Sequence, residues 1–294
     1  MKCTLPRLFL VLAVVATAAA CGPSVSGDGD DDDDDTPRTD AATDAAPGPD
    51  GPDIPLPSRV YAHSGTTLYR IDTTTFAAVP IGAFTGLPQN QGMLDLAVDR
   101  NERMIGVSRT QIYEIDETNA QTTFLASYTG SAITSLSFVP VNPADPDGEE
   151  MLVAATDDGS VIRININGTT ATTLVIGDYG QHQGQDIVSS GDLVYVKNFG
   201  TVATVDVGNG TNDYLARVDP ANGWRATIVG NGVGYDKIFG TAFWGGELYG
   251  FVDQGANSGS FIRIDPTTGV GTLLQAGSIQ WFGAGVTTVA PVID

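Results

Sequence analysis

An all-β fold, built from a repeated four-strand unit and closed by joining its two ends, is what residues 58–294 of this 294-residue sequence predict. Three observations carry the prediction. Helix signals are nearly absent: no long stripe of period 3.6 runs through this region, and short β-branched and aromatic runs alternate with Gly, Asn, Asp and Pro. One strand-and-turn pattern recurs five times. The pieces left over at the two ends together have the length of one repeat.

The repeated strands are Thr67–Thr75, Gln111–Asn119, Ser160–Thr169, Tyr214–Gly223 and Phe261–Gly269, and Asp72, Asp116, Asn165, Asp219 and Asp265 occupy the equivalent position. Asp265-Pro266-Thr267-Thr268-Gly269 suits a type I turn closed by a left-handed glycine, so each element is read as a hairpin corner. A further strand follows each one: 77–84, 122–128, 171–177, 225–230 and 270–277. Equivalent positions lie 44, 49, 54 and 46 residues apart. The 29 residues after Asp265 and the 15 from Ser58 to Asp72 make up one more interval of 44. The segment 281–292 is therefore expected to supply the first strand of a unit whose other three strands start at Arg59. Closure of this kind removes free sheet edges, whereas an open array needs atypical end caps.

A period of 40–50 residues with four strands per unit points to a β-propeller of five blades. A six-bladed ring, with extra strands in the 54-residue interval, and a two-sheet sandwich are the alternatives. The Leu68-Tyr69-Arg70-Ile71-Asp72 strand and Trp244–Asp253 resemble exported propellers. That resemblance implies a fold and leaves function open, because such propellers include enzymes, binding modules and scaffolds.

In such a ring the first strand of each blade lines the central channel. Aligned first strands put Asp95, Ser135, Asp186, Gly240 and Gly283 at one position, on one side of the strands. Two blades share a Gln-x-Gln-Gly entry loop, Gln89–Gly92 and Gln181–Gly184, each shortly before one of the two aspartates. The candidate ligand-binding set is therefore Asp95, Asp186, Ser135, Gln89, Gln91, His182, Gln183, Asp236 and Trp281. Amides, carboxylates and aromatics at one rim suit a polyol, a glycan or a hydrated cation, and oxygen ligands favour Ca2+ over zinc. The registered Arg70, Arg163, Arg217 and Arg263 are expected to pair with carboxylates of their own or the next blade.

Other motifs fail. Gly230–Gly234 follows a strand but leads into another strand, so a phosphate there lacks a helix N-terminus. Asp145–Glu149 opens like a calcium loop but lacks the closing glutamate. Two histidines, His63 and His182, make no histidine cluster.

The first residues are of another kind. Lys2 and Arg7 precede an apolar run, Leu8–Val15, too short to span a bilayer. Ala18-Ala19-Ala20 and Cys21 follow. This layout resembles the lipobox of bacterial lipoproteins, with Ala18 where that box usually has Leu. The resemblance implies removal of a signal peptide (residues 1–20), a diacylglycerol on the Cys21 sulfur and an acylated (palmitate-type) amine. More than one acyl chain gives firm anchoring. Cys3 leaves with the signal, so the mature chain is expected to hold no disulfide and no catalytic thiol. Residues 22–57 carry eleven carboxylates against Arg38 and have almost nothing to bury. They read as a disordered acidic tether. Gly22 in place of aspartate after the anchor favours the outer membrane, facing the periplasm or the outside.

Residues 58–294 hold 24 acids against 11 bases, a poor partner for nucleic acid or anionic lipid. The expectation is a monomeric envelope lipoprotein displaying a propeller as a binding or scaffold module, its partner an envelope protein or a glycan. The alternative is a carboxylate- or metal-dependent hydrolase of glycan or lactone type at the central channel, with Asp95 and Asp186 as acid and base.

Overall fold

The computed structural model describes residues 58–130, 132–208 and 210–292. The signal, Cys21 and the acidic tether lie outside the described residues. No helix among the described residues is long and apolar enough to cross a membrane.

The expected strands form in the expected order. β1 (Val60–His63), β2 (Thr67–Ile71) and β3 (Ala78–Ala83) make the first antiparallel run. β4 (Asp95–Val98), β5 (Met104–Val107), β6 (Gln111–Ile115) and β7 (Thr122–Ser127) make the second unit. β8 (Ser137–Pro140), β9 (Glu150–Ala155), β10 (Ser160–Asn167) and β11 (Thr170–Asp178) make the third. A two-residue strand, β12 (Gln181–His182), leads into β13 (Gln185–Val196), β14 (Gly200–Val207), β15 (Tyr214–Asp219) and β16 (Arg225–Val229). The fifth unit is β17 (Ile238–Trp244), β18 (Glu247–Asp253), β19 (Gly259–Ile264) and β20 (Gly271–Gly277).

The last strand, β21 (Gly283–Gly285), returns to β1, pairing Tyr61 with Gly285 and His63 with Gly283. The first unit is thus completed by the C-terminal strand, in the order β21-β1-β2-β3. The second and third units join edge to edge through one parallel bridge, Ser127 to Thr170, which makes them a single eight-stranded sheet. The inner strands pack in succession: β4 on β8, β8 on β13, β13 on β17, β17 on β21, and β21 on β4. This is an all-β fold of propeller type.

The corners explain why the repeat is visible in the sequence. Asp72 Oδ1 accepts from the backbone N–H of Thr74 and Thr75, and Asp265 Oδ1 from Thr267 and Thr268. Asp116 and Asp219 do the same with Thr118 and Ala221. These bonds hold the turn and keep Asp72, Asp116 and Asp265 below the usual carboxylate range. Four residues on, the backbone turns left-handed at Phe76, Ala120 and Gly269, with φ of 60°, 61° and 75°. Asn165 departs from the expected equivalence. It lies within β10 opposite Thr172, and the turn comes later, at Gly168 with φ 60°. The longer hairpin β10–β11 absorbs part of the irregular spacing.

The chain beyond β21 closes one end of the axis. Thr287 bridges to Val98 and its hydroxyl donates to the Asp99 carbonyl at 2.9 Å. The Thr288 hydroxyl donates to Glu150 at 2.5 Å, and its carbonyl accepts from Lys197 N–H at 2.7 Å. Gly245 N–H donates to the Pro291 carbonyl at 2.9 Å. Four units are tied by this one tail, and both threonines are buried. Deleting residues 286–294 strips these bonds and exposes the inner strands. Its expected outcome is loss of cooperative thermal unfolding, read by circular dichroism.

Candidate functional site

The inner strands carry a buried polar cluster on which all five units converge. Asp95 (β4) and Asp192 (β13) are neighbouring carboxyls, almost wholly inaccessible to solvent. Asp95 Oδ2 accepts from Leu136 N–H at 2.6 Å, in the third unit. Asp192 Oδ2 accepts from Thr241 N–H at 2.6 Å, in the fifth, and its Oδ1 from Leu193 N–H at 2.6 Å. His63, at the end of β1, is wholly buried and has Nε2 4.0 Å from Asp95 Oδ1. Its Nδ1 lies 2.9 Å from the Ser64 carbonyl, which can only accept, so Nδ1 holds the ring proton. Gly283 packs against this gap; a Cβ there would collide with Asp95 Oδ1 and His63 Nε2.

Of the four carboxyl oxygens, Asp95 Oδ1 alone receives no hydrogen bond, and it faces the lone pair of His63 Nε2, which is also unpartnered. Two bare acceptors buried side by side are costly, so a proton resides on the Asp95 side of the pair. The electrostatics agree. Burial first, then the like charge of Asp192, pushes Asp95 well above the carboxylate range, and burial also raises Asp192. Burial lowers His63 to about 4, so its ring stays neutral.

The sequence expectations meet this site unevenly. Asp95 and Ser135 occupy the inner position, Ser135 Oγ accepting from Ala155 N–H at 2.9 Å. Asp186 does not. It is exposed, in a hairpin where Gln181 Nε2 donates to it at 2.7 Å. Asp192 takes its place, within the bulge between Ser189 and Leu193. The reason is parity: Asp95 stands three residues after its loop glycine, Gly92, but Asp186 only two after Gly184. A shift of one residue turns a strand side chain to the opposite face. The signal that could have found it is the Asp-Leu pair shared by Asp95-Leu96 and Asp192-Leu193.

Gln89 and Gln183 are exposed on entry loops, and Gln91 Oε1 faces the Thr110 hydroxyl at 3.5 Å. Trp281 is a core residue, 5% exposed and edge-on to Tyr69 and Phe251. Of the four registered arginines, Arg263 pairs with a carboxylate of its own unit, Glu247, at 3.4 Å. Arg217 instead donates to the Phe199 carbonyl at 3.0 Å and lies over the Phe199 ring.

The central channel is filled. Leu96, Leu136, Leu193, Val194, Ala284 and Val286 converge on it and leave about 10 Å³, about the room of one water. Open clefts lie at the surface, along the first and second units and on the entry-loop side. His182, Gln183, Gln185, Tyr214 and Asn231 line a polar cleft of about 460 Å³. Nearby in sequence, Asp206, Asp213 and Asp236 bring one carboxylate oxygen each within 4.8 Å of the others. Asp213 is buried, accepts from the Ser190 hydroxyl at 2.5 Å and Ile238 N–H at 2.7 Å, and is pushed up to about 6, chiefly by burial. Burial and Asp236 raise Asp206. Three clustered carboxylates suit an oxygen-seeking divalent cation.

No family model matches the chain, and no curated protein matches it. Among solved structures it is similar to TolB from Acinetobacter baumannii, with 15% identity, 75% of this chain and 53% of that one covered, and a TM-score of 0.43. The chain thus spans about half the length of that protein. It is also similar to the Swd1 β-propeller domain of Myceliophteria thermophila, with 11% identity, coverage of 74% and 68%, and a TM-score of 0.40. A putative 6-phosphogluconolactonase from Bacteroides fragilis matches with 14% identity, coverage of 76% and 69%, and a TM-score of 0.35.

The hub makes stability depend on pH with a definite sign. The folded carboxyl pair binds a proton that the unfolded chain releases above about pH 4, so its contribution is lost as pH rises toward the raised value. Neutral His63 acts oppositely: the unfolded ring binds a proton below about pH 6.5, the folded one only below about 4. The two offset each other between these limits. Above about pH 6.5 the carboxyl pair alone remains, and stability is expected to fall by about 1.4 kcal/mol per pH unit. Asp95→Asn places an amide donor where the proton sits and should flatten that slope. Asp192→Asn sets an amide N–H against a backbone N–H and should destabilise at every pH. Denaturant melts of the three proteins across this range check both.

Proposed function

We propose that this chain is a lipid-anchored envelope protein that displays a five-bladed propeller as a binding module, without catalysis. The five blades are the five four-stranded units, the first completed by β21. Cys21, after the signal, would carry the lipid, and the acidic segment to residue 57 would hold the module away from an outer membrane.

The observation that carries the binding reading is the filled axis. A hydrolase at the channel needs carboxylates that reach substrate and water. Asp95 and Asp192 are inaccessible and bound to backbone N–H groups, and Asp186 is remote from both in the strand pattern. On the entry-loop side a cleft is open, where the amides of Gln183, Gln185 and Asn231, with His182 and Tyr214, offer donors and acceptors in both senses. That set suits the hydroxyls of a glycan, with the tyrosine ring as a platform. It extends the sequence candidates His182 and Gln183 by three residues.

The test is binding of envelope oligosaccharides to the wild-type chain and to a Gln183→Ala/Asn231→Ala double variant by calorimetry. The expected outcome is at least a tenfold weaker affinity in the variant, with an unchanged melting temperature. Absence of binding by the wild type would overturn the glycan reading. The anchor is tested separately: labelled palmitate should enter the wild type and be lost from Cys21→Ala.

The carboxylate trio supports calcium as a second ligand. Saturating calcium should raise the melting temperature of the wild type relative to chelator, and Asp236→Asn, which removes the exposed ligand, should abolish the rise. Equal melts with and without calcium would remove this ion from the account.

A further inference from the structure

One unit breaks a charge pattern that the repeat sets elsewhere. In the fifth unit Arg263 stands opposite Tyr249. Glu247, two residues before Tyr249 and so on the same face, pairs with it at 3.4 Å. The second unit makes the same pair with its signs exchanged: Glu114 stands opposite Ile105, and Arg103, two residues before Ile105, pairs with it at 2.9 Å. In the third and fourth units Met151 and Gly200 take the acid's position, so Arg163 and Arg217 have no such partner. In the first unit Arg70 stands opposite Tyr61, and the residue two before Tyr61 is Arg59. Both positions are cationic there, and like charges so placed repel.

Arg59 turns to the second unit and pairs with Glu102 at 2.7 Å. Arg70 is left exposed, with no ion pair among the described residues. It lines a groove of about 560 Å³ between the first and second units, and Glu117 stands in the same groove. Glu117 also makes no ion pair among the described residues, so a free cation and a free anion share one groove too far apart to pair. Tyr61 joins them there, its ring 6% exposed and its hydroxyl without a hydrogen bond among the described residues. Burial, then Glu117 and Glu102, raise its phenol against the opposing pull of Arg59 and Arg70, so the hydroxyl stays a donor amid four charges. Val79, 44% exposed, and Pro80 supply an apolar wall.

We propose that this groove binds a short zwitterionic peptide, its carboxylate on Arg70 and the Tyr61 hydroxyl and its ammonium on Glu117. A guanidinium and a phenol O–H are both donors to a carboxylate, and a carboxylate accepts from an ammonium. An extended tripeptide spans about 10 Å, a size suited to a groove of this volume, and its side chains would lie along Val79 and Pro80. The groove shares no residue with the entry-loop cleft, so this site stands independently of the glycan reading.

The experiment is calorimetric titration of the full chain with the tripeptide Ala-Ala-Ala, its C-terminal amide and its N-acetyl form, at low ionic strength, where exposed charges are least screened. The wild type is expected to bind the free tripeptide about tenfold or more tightly than either capped form. Arg70→Gln should weaken binding of the free tripeptide to the level of the amide, with an unchanged melting temperature, because Arg70 pairs with no carboxylate of the described chain. Glu117→Gln should weaken it to the level of the N-acetyl form. The proposal is overturned if the wild type does not bind the free tripeptide or binds all three peptides equally. It is equally overturned if Arg70→Gln binds the free tripeptide as the wild type does.

Discussion

Two buried carboxyls at the centre of the ring, Asp95 and Asp192, with a proton held on Asp95, join strands that no backbone ladder connects. Sheets of a propeller are held internally by ladders, but neighbouring inner strands meet mostly through side chains. Here Asp95 reaches from the second unit to the Leu136 N–H of the third, and Asp192 from the fourth to the Thr241 N–H of the fifth. The same carboxyl, Asp95, faces His63 of the first unit, and Gly283 of β21 gives it room. An ionised pair in this place would cost far more than it returned. A single proton retained on Asp95 removes one of the two like charges and lies on the side of the bare His63 Nε2, and the rest of the ring is arranged around these three groups. The ring is thus held by chemistry that also forbids the hub from serving substrate.

The periodic part of this architecture was legible in the sequence because each corner repeats the same local solution. An aspartate accepts the next turn's N–H groups, and a left-handed residue follows four places on. The run following each corner placed every outer strand, and the residue count placed β21 beside β1. Asn165 broke the pattern because a two-residue hairpin replaced the five-residue corner. At the hub the reading failed at one residue. The second Gln-x-Gln-Gly loop invited alignment on Asp186, but the loop folds into its own hairpin, and the inner strand resumes only after a bulge. Such an insertion changes parity without changing composition, so nothing short of the strand pairing reveals it. His63 was equally hidden, since its relation to Asp95 depends on the closure of the first unit by the last strand. Trp281 was misjudged because its loop position concealed its place among Tyr69 and Phe251.

A ring closed in this way must also protect the strands that closure leaves at its circumference. β3, β16 and β20 are unpaired on one side, as is most of β7 and β11. Exposed apolar residues lie on these strands: Val79, Phe124, Leu174, Val175 and Leu273. They are divided among four units, so no single edge presents a continuous apolar face, and bulges in four of the five outer pairings distort the register a second copy would need. The excess of acids over bases in residues 58–294 adds repulsion between copies. Cohesion within the ring therefore comes from the axis, where the hub and the C-terminal tail are buried, while the circumference relies on charge and broken register. The loops between units are the part of such a body that neither holds the axis nor guards an edge.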